Sequence, residues 1–358
     1  MGDFNGSSSR LLLSASLLTA FGLIMVYSSS WAYSDYYYGN SYFLLIKQTI
    51  AAVIGFAALV FLAKIDLTRI IELSGYLLAG FTFLTFLTLF PGLSSGGRWL
   101  DLGPFSFQPT EGLKFGLITW TSFAVVDLGD RIKDFKRGVV PFLLVISVIS
   151  LITLLQPDFS MTLILISVTG FLLFIGGARL ADLGKVIALG VPLLGGILVI
   201  KPYRLQRLIS FFGSGKDQLG TGYQLTQSLI AFGSGGIFGK GLGRSVEKFL
   251  YLPAGYNDFI YSIVGEELGF IGSLTVIVLF VVLGVEGFKI ALNQDDRVKG
   301  LIAGGFTFAI CFQALLNFSV TLGLLPVTGL TLPFISYGGS SLVVSLAMIG
   351  CIVNIGKS

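Results

Sequence analysis

Apolar residues in this chain run in long blocks, broken by short charged or glycine-bearing linkers, rather than alternating with polar ones. A helix that spans a bilayer needs about 20 mainly apolar residues. Ten such blocks can be delimited: 10–31, 43–63, 69–90, 110–127, 138–156, 158–176, 182–200, 258–283, 298–322 and 336–356. Backbone polar groups in lipid must be satisfied within the segment, so each block is expected as a helix. The pattern predicts an all-α membrane protein with ten transmembrane helices in one polytopic domain, 1–358. A large loop, 201–257, separates spans 7 and 8. The first block follows Arg10, and Ser30-Trp31-Ala32 imitates a cleavage site. Its length is that of a full span, so it is expected as an uncleaved first helix.

Charge sets the expected orientation. Lys and Arg of short loops favour the cytoplasmic side. With the N-terminus inside, that side holds Arg10, Lys64, Arg69, the Arg131-Ile132-Lys133-Asp134-Phe135-Lys136-Arg137 cluster, Arg179, Lys185, Lys289, Arg297, Lys299 and Lys357. The opposite short loops and helix ends hold only Lys47, Arg98 and Lys114. Ten spans then place both termini in the cytoplasm and leave 91–111 and 201–257 outside. The aromatic content of 201–257, including Tyr203, Phe212, Phe232 and Tyr256, predicts short helices there that lie on the membrane surface or pack into the helix bundle.

Composition agrees. The chain is 54% apolar and 12% charged, where soluble domains carry about 25% charge. It has no His, which removes imidazole catalysis and His-ligated metal. Cys311 and Cys351 lie in apolar runs and are expected as small core residues. The net charge of +4 suits anionic lipid headgroups and gives no reason to expect nucleic acid.

Three stretches carry candidate chemistry. Gly233-Ser234-Gly235-Gly236-Ile237-Phe238-Gly239-Lys240-Gly241-Leu242-Gly243 fails as a phosphate loop, because Ser234 and Gly241 stand where Gly and Ser or Thr belong. Its backbone N–H groups, with Lys240 and Arg244, could still cradle a diphosphate. The bland account is a close-packed turn. In the second, Asn257 is a plausible N-cap, and Asp258 in a first helical turn would be stabilised by the helix dipole. Glu266 and Glu267 lie deeper in the same apolar helix. At about 100° per residue, only Glu266 can share a cavity with Asp258, and Glu267 is expected to pack or to pair between helices. In the third, Pro109-Thr110 marks a helix start, and Glu111 and Lys114 share a face. Either they form a local ion pair, or Arg98 and Lys114 surround an anionic group with Glu111 orienting Lys114. Further breaks fall at Gln156-Pro157-Asp158 and across 325–341, where Ser hydroxyls could cap the last span.

These words occur together in one family. Arg98-Trp99, Gln108-Pro109-Thr110-Glu111-Gly112-Leu113-Lys114, Gln156-Pro157-Asp158, Gly239-Lys240-Gly241-Leu242-Gly243, Asp258-Phe259-Ile260, Gly265-Glu266-Glu267-Leu268-Gly269 and Pro333-Phe334-Ile335-Ser336-Tyr337-Gly338-Gly339-Ser340-Ser341 follow its order and spacing. The chain resembles the SEDS family (shape, elongation, division and sporulation), represented by RodA and FtsW. Gly22-Leu23-Ile24-Met25-Val26-Tyr27-Ser28 and Tyr223-Gln224-Leu225-Thr226-Gln227-Ser228 look more like the FtsW branch.

The resemblance implies a peptidoglycan glycosyltransferase of the bacterial cytoplasmic membrane. It would polymerise lipid II on the outer face, release undecaprenyl diphosphate with inversion, and work with a class B penicillin-binding protein in division or elongation. Asp258 matches the family's essential Asp and would be the general base. Arg98 and Lys114 would offset diphosphate charge, with Glu111, Lys240 and Arg244 beside them and Glu266, Gln108 and Ser336 in support. A divalent cation, Mg or Mn, could assist, although no metal motif stands out. Family members often carry a Glu-Ala-His-Thr-Asp-like run where this chain has Ala254-Gly255-Tyr256-Asn257-Asp258. The missing Glu and His put their auxiliary roles in doubt, including metal contact. The alternative function is a flippase that carries the same lipid. Against it, Arg98, Glu111, Lys114 and Asp258 lie to one side, whereas carriers hold substrate near the midplane.

Overall fold

The computed structural model describes residues 6–103, 105–156, 158–200, 211, 221–249, 252–253 and 255–357. Much of the expected loop at 201–257, with Tyr203, Phe212, Tyr251 and Ala254, lies outside the described residues. The expected blocks are all helical. The helices are α1 (Gly6–Tyr38), α2 (Phe43–Leu62), α3 (Leu67–Glu72), α4 (Ser74–Leu87), α5 (Pro109–Leu128), α6 (Val140–Leu155), α7 (Phe159–Ile175), α8 (Leu180–Ile200), α9 (Thr221–Gly235), α10 (Ile260–Leu292), α11 (Arg297–Thr321) and α12 (Gly339–Ile355). Among the described residues, five helical stretches are long and apolar enough to cross a membrane: Gly6–Tyr38, Phe43–Leu62, Phe135–Leu155, Ile260–Leu292 and Arg297–Thr321. The third block is divided at Leu73 into α3 and α4.

Helix starts follow local capping chemistry. Asp66 accepts the Thr68 N–H at 2.9 Å, Asp158 the Met161 N–H at 3.1 Å, and Asp296 the Val298 N–H at 2.9 Å. Each bond satisfies an amide that the first helical turn would leave orphaned. Helix α12 packs along α2, α1 along α10, α10 against α11, and α5 against α4. Cys311 and Cys351 are free thiols within this packing, half-buried and buried respectively.

One end of the bundle carries a sheet that the sequence did not lead us to expect. Strands β1 (Ser94–Ser95), β2 (Trp99–Leu102) and β3 (Phe105–Phe107) form an antiparallel sheet in that order, with Leu100 opposite Phe107. Strands of two to four residues are too short to leave an alternating pattern in the sequence. At the opposite end Lys357 Nζ donates to the Ala63 carbonyl, Asn354 Nδ2 to the Leu62 carbonyl, and Arg297 to the Gly176 carbonyl. The Arg10–Glu286–Lys289 cluster lies at the ends of α1 and α10.

Helix α10 is broken at Gly269, where φ is 68° and ψ −161°. The glycine-rich run plugs the break. The N–H groups of Lys240 and Gly241 donate to the carbonyls of Glu266 (3.0 Å) and Glu267 (2.9 Å). In return the N–H groups of Phe270 and Ile271 donate to Gly236 and Ile237 at 2.9 and 3.2 Å. The freed backbone groups are thereby satisfied, as burial requires. A Cβ on Gly239 would lie 2.2 Å from the Glu267 carbonyl oxygen, so only glycine allows this approach.

Candidate functional site at the sheet end

A polar cavity of about 440 Å³ opens at the sheet end. Its wall includes Lys47, Gln108, Asn257, Thr331, Tyr337 and Ser341. Three pieces of chain meet there: the 255–258 turn before α10, the Gln108 start of α5, and the 325–338 segment leading into α12.

The turn is fastened through its backbone. Tyr337 N–H donates to the Tyr256 carbonyl at 3.1 Å. Ser336 Oγ donates to the Asn257 carbonyl at 2.7 Å and accepts the Leu332 N–H at 2.8 Å. Asn317 Nδ2 donates to the Asp258 carbonyl at 2.9 Å and to the Leu330 carbonyl at 2.6 Å. Asp258 is half-buried, and Gly329 lies against its carboxylate. The helix begins at Ile260 with Phe259 as its N-cap and no side-chain capping bond. The expectation that Asn257 caps and that Asp258 sits in the first turn is therefore corrected.

Gln108 bridges two elements. Its N–H donates to Ser340 Oγ at 3.0 Å and its Nε2 to Asp158 Oδ2 at 3.3 Å. Arg98 Nε donates to the Gln156 carbonyl at 3.2 Å, so Arg98 stands beside the same α6–α7 break. Glu111 and Lys114 form an ion pair at 2.8 Å, both almost fully buried. Lys114 Nζ also donates to Gln313 Oε1 at 2.8 Å, and Gln313 Nε2 donates to the Thr331 carbonyl at 3.0 Å. The ion pair thus reaches the cavity wall through Gln313 and Thr331.

Lys240, Arg244 and Glu266 are not brought to this cavity. Glu266 is wholly buried and takes Lys240 Nζ at 2.7 Å, the Val246 N–H at 3.0 Å and the Ser245 hydroxyl. The expected cavity shared by Glu266 and Asp258 is corrected: Glu266 faces the glycine-rich loop because that loop fills the break in α10. The amides of Lys240 and Gly241 are used on α10, so the run is the close-packed turn rather than a phosphate cradle. Arg244 is exposed beyond the plug. Glu267 accepts from the Ser28 hydroxyl of α1 at 2.6 Å and pairs at 3.0 Å with Lys248, which lies in a turn, so its ion pair is to the loop rather than between helices.

The sequence reading missed Gln48, Gln313 and Asn317. Gln48 Nε2 donates to the Ser336 carbonyl, and Gln48 Oε1 accepts the Gly338 N–H, both at 3.1 Å. The available signal was an amide in an apolar helix, and for Gln313 and Asn317 a spacing of one turn. Among the described residues no group of three or more His, Cys, Asp or Glu side chains converges as an all-protein metal centre would require.

The comparisons with known proteins agree with this architecture. Residues 8–358 match the FtsW/RodA/SpoVE family model, described as cell cycle protein. The chain is 38% identical to stage V sporulation protein E of Bacillus subtilis, over 97% of this chain and 96% of that one. It is 36% identical to the probable peptidoglycan glycosyltransferase FtsW of Geobacter sulfurreducens, over 96% and 94%. Thermus thermophilus rod shape determining protein RodA superposes with a TM-score of 0.71 at 26% identity, covering 97% of this chain and 95% of that one. A chain of a peptidoglycan synthase complex that coordinates polymerization and crosslinking superposes at 0.79, also 26% identical, over 97% and 96%. A helical chain with the polar cavity, the plugged break in α10 and this extent of match belongs to the FtsW/RodA/SpoVE family, the SEDS family of multi-pass bacterial membrane proteins.

Proposed function

We infer that this chain is a peptidoglycan glycosyltransferase that polymerises lipid II, and that the sheet-end cavity is where it does so. The observation that supports the placement is the backbone fastening of the 255–258 turn, which sets Asn257 in the wall of the polar cavity, with Asp258 the next residue along the chain.

Asp258 serves as general base. It takes the proton of the acceptor sugar 4-hydroxyl as that oxygen bonds to the donor's anomeric carbon. The bond from that carbon to the diphosphate oxygen breaks, its electron pair leaves with undecaprenyl diphosphate, and configuration inverts. Base assistance of this kind contributes about 10²–10⁴-fold. Arg98 supplies positive charge for the leaving diphosphate, and preorganised charge of this type is commonly a large catalytic contribution. Lys114, buried behind Gln313 and Thr331, contributes its field and holds that wall in place. Gln108 and Ser336 position the α5 start and the Asn257–Asp258 backbone.

Both termini are assigned to the cytoplasm and the sheet end to the outer face. The support is the excess of short-loop Lys and Arg at the opposite end. A class B penicillin-binding protein is the expected partner, because a synthase complex joining polymerization to crosslinking contains a chain of this fold.

The test is purified wild type and Asp258→Ala, each given lipid II with and without a class B penicillin-binding protein. Polymer from wild type alone is expected. Equal polymer from Asp258→Ala overturns the base. No polymer with any partner, together with measured lipid flipping, selects the transporter.

A further inference from the structure

A run of tyrosines on the α1–α2 side of the cavity is not used by the chemistry above. Two chains of ring contacts leave the cavity wall and meet. One starts at Tyr337, a wall residue, and passes through Tyr256 (6.0 Å between centroids) to Tyr33 (4.9 Å) and Tyr37 (4.5 Å). The other starts at Lys47, also a wall residue, whose ammonium lies 4.7 Å from the Phe43 ring centroid. Phe43 stacks on Tyr38 at 4.1 Å, and Tyr38 meets Tyr33 at 6.4 Å. The outer rings are open: Tyr37 is 58% and Tyr38 49% exposed.

Tyrosines at a membrane interface commonly anchor a helix at headgroup level. Tyr36 and Tyr42 need no more than that. Anchoring does not account for rings that continue inward to a polar cavity. Nor does it account for the reach of α1. At about 1.5 Å per residue, Tyr38 stands roughly 40 Å along the axis from Arg10, beyond a hydrocarbon core of about 30 Å.

We propose that Tyr33, Tyr37 and Tyr38 form a saccharide-binding track that holds the glycan strand of the polymerisation site outside the cavity. The chemistry suits a polymer of N-acetylated hexoses. Their C–H faces lie flat on aromatic rings, their hydroxyl edges reach the tyrosine O–H groups, and rings with a polar handle suit a surface that is part apolar and part wet. Such contacts are individually weak and independent of the lipid anchor. They would let a strand shift by one disaccharide without release.

The inference rests on the cavity being where glycan is made, so the test reads saccharide binding separately from catalysis. The probe is a soluble tetrasaccharide of alternating N-acetylglucosamine and N-acetylmuramic acid, titrated onto the full-length protein in lipid nanodiscs. The second readout is the length distribution of glycan made from lipid II with a class B penicillin-binding protein. Tyr37→Leu/Tyr38→Leu keeps apolar side chains for an interface but removes the flat faces. It is expected to weaken tetrasaccharide binding about tenfold, from stacking of about 0.5–1.5 kcal/mol per ring, and to shorten the glycan. Tyr37→Trp/Tyr38→Trp should restore both, and serves as the folded control if the leucine variant loses its thermal transition. Wild type that does not bind the tetrasaccharide overturns the track. So does a leucine variant with unchanged affinity and glycan length, which leaves the rings as interfacial anchors. Asp258→Ala that still polymerises overturns the assigned base, yet leaves tetrasaccharide binding readable.

Discussion

Asn317 Nδ2 donates to the backbone carbonyl of Asp258 at 2.9 Å, tying the carboxylate-bearing turn to α11. The same nitrogen holds the Leu330 carbonyl at 2.6 Å. One turn earlier, Gln313 joins Lys114 to the next carbonyl, that of Thr331. Two amides on one helix face therefore set Asp258 and Lys114 against two consecutive residues of one loop.

Asn317→Ala removes a double donor and leaves two buried carbonyls under-satisfied. Displacing a reacting group by about 1 Å can cost on the order of 10²-fold. The expected result is a fall in kcat of about that size with a smaller change in KM for lipid II. A variant with wild-type kcat would show that the turn holds its position without this bond.

Glu267 is fully buried and pairs with Lys248, itself almost fully buried. Removing one partner strands a charge, which commonly costs about 3–5 kcal/mol. Glu267→Gln should lower the melting temperature clearly in a detergent thermal shift. Glu267→Leu with Lys248→Met should recover part of the loss, since apolar replacement of both partners is often neutral. A double variant worse than the single would point to an added role for the pair.

Gly239 has φ of 77° and no room for a side chain. In Gly239→Ala the left-handed backbone alone costs about 1–2 kcal/mol, and the clash with the Glu267 carbonyl adds to it. Faster proteolysis across 235–249 and a lower melting temperature are expected. Gly243→Ala, also left-handed but with open space at its Cβ position, should show the smaller effect. Equal effects would mean that the plug into α10 adds nothing.

Asp134 accepts the Arg137 N–H at 3.0 Å, and that backbone bond holds its carboxyl below the usual range. A depressed folded value means that the contribution is complete above the ordinary Asp pKa of about 4 and fades as pH falls through the lowered one. Asp134→Ala should therefore melt below wild type at neutral pH, and the two should converge in acid. Melting temperatures across that range check it. A gap that persists in acid would assign the effect to packing.

The sequence by itself determined the helices, because a bilayer leaves a backbone few ways to satisfy its hydrogen bonds and the apolar blocks are long enough to show where they lie. It also supplied the family words, and Gln108, one of the residues within them, lies in the cavity wall. It could not tell which ionisable groups meet. Lys240, Arg244 and Glu266 look like site residues in the chain, but tertiary packing turns Glu266 and Lys240 toward the break in α10 and leaves Arg244 outside the cavity. Gln48, Gln313 and Asn317 are inconspicuous amides in apolar helices, and only folding brings each to a partner far away in sequence. The sheet was hidden because its strands are too short to show a period. Local pattern records what each segment must do with its own backbone. Which buried charges pair and which loops meet at a cavity are decided by contacts between segments, and these form only when the bundle closes.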